Sequence, residues 1–169
     1  MRVRYSFSSR HTGRAKDLKN IKKQKAKFPD LIQTVIENSD IILEILDARF
    51  INDTRNLEIE SSIKQKGKRL IYVINKFDLI DKNKIKDLPL PYSIVSCKKR
   101  IGVRELRDKI KATASQIKKS ERVIVGVIGY PNTGKSSLIN ILIGKSSAPT
   151  SSEAGFTKGV QKIGLTPNI

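Results

Sequence analysis

Val123-Ile124-Val125-Gly126-Val127-Ile128-Gly129-Tyr130-Pro131-Asn132-Thr133-Gly134-Lys135-Ser136 is a β-branched apolar run closed by the pattern GxxxxGK[ST]. Residues 136–142 follow with the spacing of a helix, so the pattern lies where it has structural meaning, between a strand and a helix. Two glycines let the backbone curl so that consecutive N–H groups face a phosphate at the positive end of the helix. Lys135 suits the β- and γ-phosphates of a nucleotide, and the Ser136 hydroxyl suits magnesium. The nucleotide-binding set expected of this loop is Asn132, Thr133, Gly134, Lys135, Ser136 and Ser137.

Working outward, the second signature comes earlier in the chain. Leu70-Ile71-Tyr72-Val73-Ile74 reads as a buried strand and ends in Asn75-Lys76-Phe77-Asp78, at the carboxyl end where open α/β sheets hold their ligands. Asp78 can accept from the ring N–H and the exocyclic amine of guanine, a donor pair adenine lacks, while the Lys76 stem can lie over the base. Ser96-Cys97-Lys98, after a strand over 92–96, resembles the Ser-Ala-Lys element that offers guanine a backbone N–H. Gly102-Val103-Arg104-Glu105-Leu106 then opens a helix with Val103, Leu106, Ile110, Ala114 and Ile117 on one face. Its other face carries Arg104, Arg107, Lys111 and Lys118.

A further apolar run, Ile41 to Leu46, follows the helical spacing of Phe28, Leu31, Ile32, Val35 and Ile36. Residues 56–65 read as a short helix with Leu57 and Ile63 inward. Strands alternating with helices predict an α/β, P-loop NTPase-like, mainly parallel sheet with flanking helices. The core is expected over 41–47, 69–75, 92–96 and 123–128.

The motif order is guanine signature, Ser-Cys-Lys, phosphate loop, the reverse of an ordinary GTPase. With Asp47-Ala48-Arg49 and Arg55-Asn56 at the end of the first strand, the chain resembles the YlqF/YawG family of circularly permuted GTPases over about residues 28–169. A physical account of Asp47 and Arg49 is an ion pair shaping the strand-to-helix loop. The resemblance implies GTP or GDP with magnesium, slow GTP hydrolysis, and work in assembling large ribosomal subunits. It also implies that Thr157 is the switch threonine on magnesium and the γ-phosphate. Asn132 is implied to hold a potassium ion that serves catalysis beside Lys135 and Thr157; an asparagine selected for turn geometry explains it equally.

The family's Asp-x-x-Gly element occurs nowhere in the 169 residues. The chain is therefore expected to be a circularly permuted G domain incomplete at its C-terminus, with hydrolysis in doubt. Residues 159–165, which alternate like an edge strand, are expected to lack a hydrogen-bonding neighbour and to form a poorly anchored arm.

The net charge is +18, from 34 basic and 16 acidic residues, which favours a polyanion such as a ribosomal subunit or rRNA. Residues 1–27 read as a basic N-terminal extension, and a second basic run covers 98–122. One cysteine excludes an internal disulfide, and one histidine excludes a Cys/His zinc cluster. No apolar run spans a membrane and no secretory signal is visible, so the expected compartment is the cytoplasm. Two alternatives stand beside the GTPase: a basic RNA- or ribosome-binding module with vestigial nucleotide binding, and a P-loop ATPase whose Asn-Lys-x-Asp is accidental.

Overall fold

The computed structural model describes residues 2–5, 30–81, 88–117, 122–144 and 161–164. The elements are β1 (Arg2–Tyr5), α1 (30–37), β2 (Ile41–Asp47), α2 (Leu57–Gln65), β3 (Arg69–Asn75), β4 (Tyr92–Ile94), α3 (Val103–Ser115), β5 (Ile124–Ile128), α4 (Lys135–Ile143) and β6 (Gln161–Gly164). The sheet order is β4-β3-β2-β5-β1-β6. The four strands expected from the apolar runs form a contiguous parallel block, β4-β3-β2-β5, with β4 at one edge of the sheet, Ile41 opposite Arg69 and Val125, and Ile74 opposite Ile94. Every residue of β2 is buried, as a strand covered on both faces requires.

Helices cover both faces. Ile41, Leu43, Ile45, Val73 and Val125 pack with Val103, Leu106 and Ile110 of α3 and Leu138, Ile139 and Leu142 of α4. On the other face Ile42 and Ile128 meet Val35 and Ile36 of α1 and Ile63 of α2. Each fully buried aliphatic side chain contributes about 1.5 to 3 kcal/mol, so these two clusters hold the layers together. Asp40 joins distant segments: its carboxylate accepts from Ile124 N–H at 2.7 Å and its carbonyl from Arg69 N–H at 3.1 Å.

The structure corrects two expectations. Gln161–Gly164 does not lack a neighbour; it pairs antiparallel with Arg2–Tyr5, which in turn pairs parallel with β5. An open strand edge presents unpaired N–H and C=O groups that any extended segment can satisfy. Arg2-Val3-Arg4-Tyr5 has the period-2 alternation of a strand, which the high lysine and arginine content of the lead-in obscures.

In α2 the inward position falls on Glu60, 3% exposed, and not on Leu57, 65% exposed. Asn56 caps this helix by accepting from Ile59 N–H at 3.1 Å and so fixes its phase. Arg55 and the Tyr72 hydroxyl both bond the Glu60 carboxylate, which makes its burial tolerable.

The basic outer face of α3 is partly engaged. Arg107 donates to the carbonyls of Ile141 and Leu142 at 2.7 and 3.1 Å, capping the C-terminus of α4. Lys109 donates to the Tyr92 carbonyl, while Arg104, Arg107 and Lys111 are exposed, as expected of this face, and Lys118 lies outside the described residues. No helix among the described residues is long and apolar enough to cross a membrane.

Candidate functional site

One buried side chain ties the three sequence motifs together. Asn75, the last residue of β3, is 2% exposed; its Nδ2 donates to the Thr133 carbonyl at 2.8 Å, and its Oδ1 accepts from Cys97 N–H at 3.2 Å. The approach is close enough that a Cβ on Gly134, at φ 97°, would collide with Asn75 Nδ2. Gly134 is therefore required by both its backbone angle and its neighbour. The backbone N–H of Cys97, expected to face a guanine oxygen, is engaged by Asn75 here.

Lys76 adopts a left-handed conformation, φ 64°, and Phe77–Leu79 form a 3-10 turn that brings Asp78 back toward the strand ends. Asp78 Oδ1 accepts from the Ser96 hydroxyl at 2.6 Å, and Ser96 Oγ accepts from Lys99 N–H at 3.1 Å. Ser96 is wholly buried, so it orients the Asp78 carboxylate from behind. Asn75, Lys76, Asp78, Leu79, Cys97, Lys98, Gly134 and Ser137 line a cavity of about 340 Å³. Burial raises the Cys97 thiol to about 12, outweighing its hydrogen bond to Asn75, so it is protonated and unreactive at neutral pH.

The phosphate-loop residues adjoin this cavity. Lys135 Nζ donates to the Tyr130 carbonyl at 2.6 Å, and Thr133 Oγ1 donates to the same oxygen at 2.9 Å. Burial lowers the Lys135 ammonium to about 8. Ser136 is buried in the first turn of α4, and Asn132 is exposed in the left-handed region at φ 63°, a conformation asparagine tolerates well. A Cβ on Gly129 would lie 2.6 Å from the Ile45 carbonyl, so the loop can follow β5 this closely only with glycine there.

Thus Asn75, Lys76, Asp78, Cys97, Lys98, Gly134 and Ser137 share one cavity wall, Ser96 stands behind it, and Asn132, Thr133, Lys135 and Ser136 form the neighbouring loop. Thr157 lies outside the described residues. Among the described residues, no group of three or more His, Cys, Asp or Glu is arranged to hold a metal ion.

Two charged groups had no assigned site role in the sequence. Asp47, at the end of β2, accepts from Arg49 at 3.0 and 2.7 Å and from Lys76 at 2.8 Å. Burial would raise its pKa, but the bonds to Arg49 and Lys76 prevail and hold it well below the usual carboxylate range. The Arg49 pair matches the loop-shaping role expected of it; the Lys76 pair crosses to the guanine signature. Glu44 is 2% exposed in the middle of β2; Asn56 N–H donates to its Oε1 at 3.2 Å, while Oε2 has no hydrogen-bond partner. Its position as the one charge inside an apolar strand is the signal that marks it.

The sequence profile of a family described as 50S ribosome-binding GTPase matches residues 124–168. The chain is 45% identical over 150 residues to an uncharacterized GTP-binding protein of Methanocaldococcus jannaschii, covering 86% of this chain and 40% of that protein. It is 35% identical over 171 residues to the nuclear GTP-binding protein NUG1 of Saccharomyces cerevisiae, covering 85% and 32%. To the nucleolar GTP-binding protein 2 of Neurospora crassa it is 33% identical over 165 residues, covering 92% and 27%. The chain thus spans well under half the length of these relatives. The fold is similar to that of YlqF from T. maritima, solved with GNP bound, with a TM-score of 0.54 at 20% identity over 79% of this chain and 55% of that one.

Proposed function

We propose that this chain carries a circularly permuted GTPase domain of the YlqF/YawG family, binds GTP and GDP and serves a GTPase of ribosome assembly, a reading supported by its GTP-binding relatives and by the YlqF-like fold. The observation that carries the reading is the shared wall of Asp78, Lys76 and the phosphate loop around one cavity. Asp78 is the guanine-reading carboxylate, oriented by Ser96. Lys76 and Lys98 flank the base, and Asn132, Thr133, Gly134, Lys135, Ser136 and Ser137 cradle the phosphates. The close fit of Gly134 against Asn75 ties the phosphate loop to the end of β3.

Magnesium fits the donor set, a hard hydroxyl oxygen of Ser136 beside a phosphate loop, with the nucleotide completing its shell. When bound it would neutralise charge on the phosphates; Thr157 is the proposed second protein ligand. For Asn132, the exposed left-handed position accords with its turn role, and the potassium role is the further proposal. The expected partner is a ribosomal subunit or rRNA, supported by the +18 charge and by what the relatives are named for. We assign the protein to an intracellular compartment, where GTP and ribosomal particles are found.

Competition between GDP and ADP tests the base. GDP is expected to be preferred, and Lys135→Ala to weaken it about tenfold to a hundredfold, the value of one charge-assisted phosphate contact. Preference for ADP would refute the guanine reading. Retained rRNA binding with no nucleotide binding at all would favour the basic-module alternative.

Lys135 gives a separate signature. With its free pKa near 8, phosphate binding must favour the charged form. GDP binding at pH 8, where the phosphates of GDP are themselves ionised, is therefore expected to take up about half a proton. Calorimetry in buffers of different ionisation enthalpy measures this directly; zero uptake at pH 8 would contradict the phosphate role of Lys135.

A further inference from the structure

We propose that Asp47 is a positioning residue of the guanine pocket, acting through Lys76; the proposal rests on the guanine reading above. Lys76 leaves the end of β3 in a left-handed conformation, φ 64°. Its ammonium crosses to the neighbouring strand and lies 2.8 Å from Asp47 Oδ2, in a register where Asp47 stands opposite Asn75. With the head fixed on β2 and the backbone fixed at β3, the four-carbon stem has few remaining conformations. Lys76 is one of the residues that line the cavity.

Asp47 is itself held. Its Oδ1 accepts from Arg49 N–H at 3.1 Å and from Arg49 Nε at 3.0 Å, and its Oδ2 accepts from Arg49 Nη2 at 2.7 Å. Its own N–H donates to Thr54 Oγ1 at 3.1 Å. The carboxylate is 7% exposed while the Arg49 side chain is 41% exposed, and the carboxylate is held between Arg49 and Lys76. A free lysine side chain has many rotamers to lose. Fixing the stem before a base arrives removes part of that cost from binding. Asp47-Ala48-Arg49 thus acts as a clamp on the lysine of Asn-Lys-x-Asp and does not touch the base.

The test is a double-mutant cycle on GDP affinity. Asp47→Asn is expected to raise the Kd for GDP about tenfold, the scale of one charge-assisted contact. Lys76→Met keeps a stem and removes the ammonium. In that background the same Asp47→Asn change is expected to alter the Kd less than twofold, because the clamp no longer has a partner. Equal weakening in both backgrounds would mean that Asp47 only supports the loop, and overturns the proposal. Unchanged affinity in the single variant overturns it as well. Failure of the unmutated protein to bind GDP would sink the guanine reading, and this inference with it.

Discussion

Asp78→Asn is expected to raise the Kd for GDP about a hundredfold while leaving the weak affinity for ADP unchanged. Guanine offers two donors on one edge, the ring N–H and the exocyclic amine, and the Asp78 carboxylate can accept both. An asparagine supplies one acceptor and turns an N–H toward the amine, so one charged hydrogen bond is lost and a donor faces a donor. Loss of a hydrogen bond to a charged group costs about 1.5 to 3 kcal/mol, and an unsatisfied donor adds to this. Ser96 can still donate to the remaining oxygen, as it does to Asp78 Oδ1 at 2.6 Å, so the turn should keep its shape. A diphosphate of xanthine, with a carbonyl in place of the amine, is therefore expected to bind the variant better than GDP does. Fluorescence competition with the three nucleotides measures the exchange; a GDP affinity within threefold of the unmutated protein would remove Asp78 from the base site.

Folding stability is expected to fall by about 3 kcal/mol as pH rises from 4.5 to above 7, through Glu44 alone. Burial, followed by the nearby charge of Glu60, raises its pKa from 4.5 to about 7. At about 1.4 kcal/mol per unit, that difference sets the size of the effect. The sign follows from proton count. Between the unfolded and folded pKa the native state binds the extra proton, so the contribution is complete below about 4.5 and is lost as pH climbs through 7.

The groups facing Glu44 are Glu60 and Asn56 N–H from α2 and its cap, Arg55 before them, and Tyr72 on β3. Their balance leaves Oε2 without a partner. Glu60 runs the other way: burial would raise its pKa, but Arg55 and Tyr72 prevail and lower it, so its stabilisation fades in acid. Glu44→Gln has the shape of the protonated side chain. The variant is expected to match the unmutated protein at pH 5, to exceed it at pH 8, and to lose the slope between them. Urea denaturation at both pH values measures this, and parallel profiles for the two proteins would rule out Glu44 as the source.

The phosphate loop was legible because all its requirements are local. Two glycines, a lysine and a serine at fixed spacing, flanked by a β-branched run and a helix, specify one backbone path, and the same holds for Asn75 to Asp78 after β3. The parallel centre of the sheet was legible for a related reason: Ile41 to Leu46 and Leu70 to Ile74 are too uniformly apolar to face water on either side. Helix faces were readable where an aliphatic stripe dominated, as in Val103, Leu106 and Ile110 of α3. Reading failed at Leu57 and Glu60, where pattern alone puts leucine inside. The phase there is set by the Asn56 cap and by two partners that make a buried glutamate tolerable.

By itself, then, the sequence determined the permuted motif order and the parallel core, and it picked out the residues of the GxxxxGK[ST] and Asn-Lys-x-Asp patterns, since each is a matter of neighbours along the chain. Tertiary structure alone decided that Arg2–Tyr5 lies between β5 and Gln161–Gly164. It likewise turned Arg107 onto the end of α4, brought Glu60 against Glu44, and set the Asp47 carboxylate on Lys76, 29 residues away. Those contacts join segments distant in the chain, and a hydrogen bond or ion pair across such a distance leaves no periodicity in the residues that make it. It exists only because the twisted parallel sheet brings the carboxyl ends of β2 and β3 side by side.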